Sequence, residues 1–123
     1  MLVEDLYIVE NTRLDSNIIR STLVINASHE IFKGHFPDIP VLPGVCMVQF
    51  IKEIIETTFN IESSIDTAGM IKFLSMLNPV ESNILTAEIS IKDKTDTNII
   101  FQASLKTEDR FLLKYSGSLS VRK

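Results

Sequence analysis

The chain has 123 residues, 45% of them hydrophobic and 23% charged, and 16 acidic against 12 basic side chains give a formal net charge of −4. This length suits one domain with its own core and is short for two, so residues 1–123 are read as a single domain. No run of Lys or Arg is present to neutralise consecutive phosphates, which argues against a nucleic-acid partner. No apolar run approaches the roughly 20 residues that a membrane span requires. The N-terminal "MLVEDLYIVE" carries acids where a signal peptide needs a basic flank, so a cytoplasmic protein is expected. Cys46 is the single cysteine, which excludes an internal disulfide and a cysteine-based zinc cluster.

In chain order, Leu6–Glu10 gives a weak strand signal. Between Asn17 and Asn26, Ile19, Leu23 and Ile25 alternate with Arg20, Thr22 and Val24, a half-buried strand. The segment from Gly44 to Asn60 breaks this period. Val45, Val48, Ile51, Ile55 and Phe59 recur at spacings of three and four, with Met47, Phe50 and Ile54 on the flanks, which predicts one long, largely enclosed helix. Alternation returns from Gly69 to Asn78, where residues of both parities are apolar and both faces are expected to be partly covered. Leu85, Ala87, Ile89 and Ile91 then define one strand, and Ile99, Phe101, Ala103 and Leu105 another. A last strand places Phe111, Leu113, Tyr115, Leu119 and Val121 on its inner face. Short polar connections such as "KDKTDTN" suit hairpins between neighbours. The sum is an α+β architecture, an antiparallel sheet wrapped around one long helix.

One stretch differs in kind. "GHFPDIPVLPGV" holds Pro37, Pro40 and Pro43 at a spacing of three, between Gly34 and Gly44 and beside His35. Proline fixes its own φ near −65° and pushes the preceding residue to extended geometry, so this segment is stiff and neither helix nor central strand. It ends where the helix begins. Proline in the first turn costs nothing there, because that N–H has no helical partner. Gly44 has no side chain, so a ligand oxygen can approach the free N–H groups of the first turn, where the helix dipole favours negative charge. This is a site for a carbonyl that gains negative charge in a reaction, with His35 placed as a general base. His29, in a polar turn-like stretch, is read as a surface residue, and Cys46 as a packed thiol.

"HFPDIPVLPGV" resembles the signature of the hotdog-fold β-hydroxyacyl-acyl-carrier-protein dehydratases, and "INASHEIFKGHFP" and "AGMIKFLSMLNPV" resemble the flanking strands of that family. The resemblance covers roughly Thr12 to Val121. It implies a hotdog fold and removal of water from a β-hydroxyacyl thioester of acyl carrier protein or coenzyme A, in fatty-acid or polyene-type lipid biosynthesis, with no metal or redox cofactor. It assigns His35 as the base, Gly44 and Val45 as the thioester-oxygen site, and Phe36, Met70 and Phe73 as lining of the acyl channel. It also implies a homodimer or higher even-numbered oligomer, with histidine and acid from opposite protomers.

The acid position of the family, fourteen residues after the histidine, is Gln49 here. An amide has no proton of useful acidity, and losing a positioned general acid typically costs 10²–10⁴-fold. Glu53 lies one turn further along the same face, from where it is read as a replacement donor acting directly, through Gln49 or through a water. Two alternatives stay open. One is a hotdog acyl thioesterase, and the other is a non-catalytic acyl-thioester binder or partner subunit, which Gln49 favours.

Overall fold

The computed structural model describes residues 5–32, 41–108 and 110–122. Six strands form one antiparallel sheet: β1 (Tyr7–Asp15), β2 (Ile18–Ile25), β3 (Glu62–Phe73), β4 (Ile84–Lys94), β5 (Asn98–Thr107) and β6 (Arg110–Arg122), in the order β1-β2-β4-β5-β6-β3. A short 3-10 turn covers Glu30–Phe32, and α1, the one α-helix among the described residues, spans Gly44–Phe59. The helix ends at Asn60, whose left-handed backbone (φ 55°) lets its N–H cap the Glu56 carbonyl.

The core lies between the helix and the inner face of the sheet. Ile19, Leu23 and Ile25 of β2, Leu85, Ala87, Ile89 and Ile91 of β4, and Ile99, Phe101, Ala103 and Leu105 of β5 are all buried, as their alternation predicts. From the helix, Cys46, Met47, Phe50, Ile51, Ile54 and Ile55 join them. Burying one side chain of this size is worth about 1.5–3 kcal/mol, which far exceeds the helix preference of any single residue, so packing holds α1 in place. No described helix is long and apolar enough to cross a membrane.

Three strands depart from the expectation. β1 runs to Asp15, beyond the weak signal at Leu6–Glu10, and β3 covers Glu62–Phe73 in place of Gly69–Asn78. Both are edge strands, and "ENTRLD" and "ESSIDTA" show little alternation because most of their residues are exposed. Within β3, Met70, Ile71 and Phe73 are all exposed in this chain, so neither face is covered there. In β6 the inner face is not the one expected at its start. Leu105 pairs with Leu113 but Lys106 pairs with Phe111, so Leu112 is an extra residue in the ladder. The bulge turns Phe111 outward, where Lys114 and Lys106 approach its ring at 5.1 and 5.9 Å, and buries Leu112 beside Leu113.

The β3–β6 ladder has a tight point of its own. A Cβ added at Gly117 would lie 2.3 Å from the Thr67 carbonyl oxygen, a backbone atom that cannot swing aside. Gly117→Ala is therefore expected to destabilise the protein by about 3 kcal/mol, within the usual range for overpacking. Urea unfolding of wild type and variant checks this through the shift in midpoint at unchanged slope.

Glu56 ties the end of α1 to the start of β3. Its carboxylate accepts from Lys52 Nζ at 3.1 Å and from the Ser63 N–H and hydroxyl at 2.8 and 2.9 Å. Burial pushes this carboxyl up, but the hydrogen bonds from Lys52 and Ser63 and the Lys52 charge outweigh it, and the net shift is below the ordinary 4.5. The sign follows: a depressed folded value adds stability above the unfolded value, and that stability is lost as pH falls through the folded one. Glu56→Gln should thus melt earlier than wild type at neutral pH. The gap should close as the pH falls below 4.5, as read from Tm against pH.

Candidate functional site

Among the described residues, no side chain caps the start of α1. Pro43, with φ −63° and ψ 143°, is its N-cap and has no side-chain oxygen to offer, so no side-chain hydrogen bond caps the helix. The Cys46 N–H turns back to the Pro43 carbonyl at 3.1 Å, while the N–H groups of Gly44 and Val45 precede any intrahelical partner. Leu42 anchors the entry to this turn, buried and donating its N–H to the Leu77 carbonyl at 3.0 Å. Val45 is 66% exposed, which puts its side chain on the open side of the turn and off the core.

Gly44 is needed for a contact that its sequence position does not announce. A Cβ built there would stand 2.6 Å from Cε1 of Phe73, so the bare glycine lets the Phe73 ring of β3 lie over the helix mouth. The structure thus brings Phe73 to Gly44, an aromatic wall beside the open amide groups. It does not bring Met70 there. Met70 pairs with Ser116 and Phe73 with Leu113, an odd separation that puts the two side chains on opposite faces of the sheet. Met70 lines a groove of about 320 Å³ with Glu88, Gln102 and Lys114 on the outer face. His35 and Phe36 lie outside the described residues.

Further along α1, Gln49 and Glu53 meet as their spacing predicts, with Gln49 Nε2 donating to Glu53 Oε2 at 3.1 Å. The other oxygen, Oε1, accepts from the Tyr7 hydroxyl at 2.5 Å. Tyr7 comes from β1, and its ring packs on buried Phe50 with centroids 4.3 Å apart. Burial first, then the hydrogen bond to Glu53 and the charge of that carboxylate, push the Tyr7 phenol well above its ordinary value. The hydroxyl stays protonated and donates at any working pH.

The family model of the ApeI dehydratase, ApeI-like, matches residues 11–114. The chain belongs to the ApeI-like dehydratase family. Among solved structures, it is similar to the dehydratase heterocomplex ApeI:P from Xenorhabdus doucetiae, with TM-score 0.76 and 22% identity over 92% of this chain and 96% of that one. It is also similar to a putative thioesterase from Lactococcus lactis (TM-score 0.71, 9% identity, 98% of this chain and 95% of the other). A thioesterase from Haemophilus influenzae follows the same fold (TM-score 0.68, 17% identity, 98% and 82%). No curated protein matches the sequence. The fold is the hotdog fold, shared by dehydratases and thioesterases alike, and membership of the ApeI-like family supports the dehydratase side.

Within this ApeI-like chain, two other side chains are structural. Cys46 is buried and burial pushes its thiol up, away from a reactive thiolate, in keeping with a packed residue. His29 Nδ1 accepts the Ile31 N–H at 3.0 Å inside the turn after β2. Tyr7 is the site neighbour that sequence reasoning missed, since a tyrosine on a weakly patterned strand, 46 residues from Glu53, carries no local signal of the contact.

Proposed function

We propose that the chain acts on β-hydroxyacyl thioesters of acyl carrier protein or coenzyme A, removing water to give the trans-2-enoyl thioester. The observation that carries this reading is the uncapped mouth of α1 at Pro43 and Gly44 with the Gln49 amide further along the same helix. The first offers N–H groups to a thioester oxygen and the second a hydrogen-bonding partner to a hydroxyl.

In this mechanism His35 takes the proton from Cα. Negative charge then moves onto the thioester oxygen, where the N–H groups of Gly44 and Val45 and the helix dipole stabilise it. The electron pair returns to form the Cα–Cβ double bond, the Cβ–O bond breaks, and the departing hydroxide takes back from the His35 imidazolium the proton removed from Cα and leaves as water. Gln49 holds that hydroxyl but has no acidic proton to give. Both oxygens of Glu53 already accept hydrogen bonds, so its nearest task is to orient Gln49.

The missing acid favours a second reading, in which this chain is one subunit of a heteromeric dehydratase and a partner supplies the carboxyl group. The Xenorhabdus relative is itself part of a dehydratase heterocomplex. The exposed β3 edge, with Ile65, Met70, Ile71 and Phe73 at the surface, suits pairing with a second chain, whether a copy of this one or a partner.

The purified chain is to be given 3-hydroxyacyl and saturated acyl thioesters while enoyl absorbance and free thiol are followed together. Enoyl product from the 3-hydroxyacyl substrate alone supports dehydration. Thiol release from both substrates without enoyl would replace this reading with a thioesterase. Binding without turnover supports the partner-subunit reading.

A further inference from the structure

We propose that Tyr7 and Glu53 are positioning residues that fix the Gln49 amide with its carbonyl oxygen turned to the substrate, so that position 49 selects a ligand whose β-substituent donates a hydrogen bond. This rests on the β-hydroxyacyl reading above and names what that site discriminates.

A carboxylate only accepts hydrogen bonds, so only the nitrogen end of the Gln49 amide can face Glu53 Oε2. Turning the amide over would set two acceptors against each other. Glu53 cannot rotate to relieve such a clash, because its other oxygen is held by the Tyr7 hydroxyl. Tyr7 in turn is clamped by its ring on Phe50, which is fully buried. Both donors converge on Glu53, the Tyr7 hydroxyl at Oε1 and the Gln49 amide at Oε2, and the carbonyl oxygen of Gln49 is left at the far end of the amide. Among the described residues the side-chain hydrogen bond of Gln49 is the one from Nε2 to Glu53, and the proposal sets a ligand hydroxyl against the amide oxygen. A 3-hydroxyacyl chain donates to it. A 3-oxoacyl chain of nearly the same shape presents a second acceptor there and is disfavoured.

Glu53→Gln gives a test that a merely structural role would not pass. Tyr7 still donates, now to the amide oxygen of residue 53, so the new NH₂ faces Gln49. The Gln49 amide must then turn over and present its own NH₂ to the ligand. Affinities for 3-hydroxybutyryl-CoA and 3-oxobutyryl-CoA are measured by calorimetry on wild type, Glu53→Gln and Tyr7→Phe, with Tm recorded for each. Wild type is expected to favour the hydroxy ligand by roughly five- to tenfold, the worth of one hydrogen bond. Glu53→Gln should bring the ratio to unity or reverse it, and Tyr7→Phe should reduce it. A wild-type ratio that survives in Glu53→Gln overturns the proposal, as does an equal loss for both ligands. If wild type binds neither thioester, the β-hydroxyacyl reading itself falls, and this proposal with it.

Discussion

Gln49→Glu is expected to raise the rate of enoyl formation by the chain alone by about 10²–10⁴-fold, the usual worth of a positioned general acid. Gln49 Nε2 lies 3.1 Å from Glu53 Oε2, so a carboxyl group at position 49 stands directly against a second one. Two carboxylates that close do not both ionise, and the pair keeps one proton into the neutral range. The Tyr7 hydroxyl already donates to Glu53 Oε1, so the shared proton is expected on the new glutamate, on the side away from Tyr7. The gain is to be measured as initial rate of enoyl absorbance against pH. Its alkaline limb should fall where the shared proton is lost. An unchanged rate would mean that position 49 does not face the departing hydroxyl.

His35→Ala is expected to remove the remaining turnover, by a factor of about 10²–10⁴. The side chain is the only imidazole in the stiff proline segment, and imidazole is the side chain whose ordinary titration lies nearest neutral pH. The melting temperature should stay near that of wild type, and added imidazole should restore part of the rate. Full turnover in His35→Ala would remove the base assignment. Loss of rate without imidazole rescue, together with a lowered Tm, would make His35 structural.

What the sequence makes legible depends on whether one face of an element is dry. β2, β4 and β5 have a buried and a wet face, and their period of two names the core residues Leu23, Ile89 and Phe101 correctly. The helix itself is equally legible, but its buried face is Cys46, Met47, Phe50, Ile51, Ile54 and Ile55, while Val45 of the predicted stripe is exposed and Val48 and Phe59 are only partly buried. β1 and the first half of β3 are edges with both faces exposed, so burial leaves no pattern in them. The Leu112 bulge shifts the parity of β6, and alternation alone then misplaces Phe111. The site divides in the same way. Gly44, Gln49 and Glu53 share one helix, so their order and spacing are written locally. The Tyr7 contact to Glu53 and the Phe73 contact to Gly44 cross from strands distant in sequence, and only the fold brings them in. Met70 illustrates a rule at hand: three residues from Phe73 in one unbroken ladder means the opposite face.

The most direct measurement is a titration of the ¹⁵N-labelled protein with a 3-hydroxyacyl thioester, followed by its amide resonances. The largest shifts are expected at the backbone N–H groups of Gly44 and Val45 and at the side-chain amide of Gln49, all saturating with one affinity. Shifts confined to the outer groove at Gln102 and Lys114, with the helix mouth unmoved at saturation, would contradict this expectation.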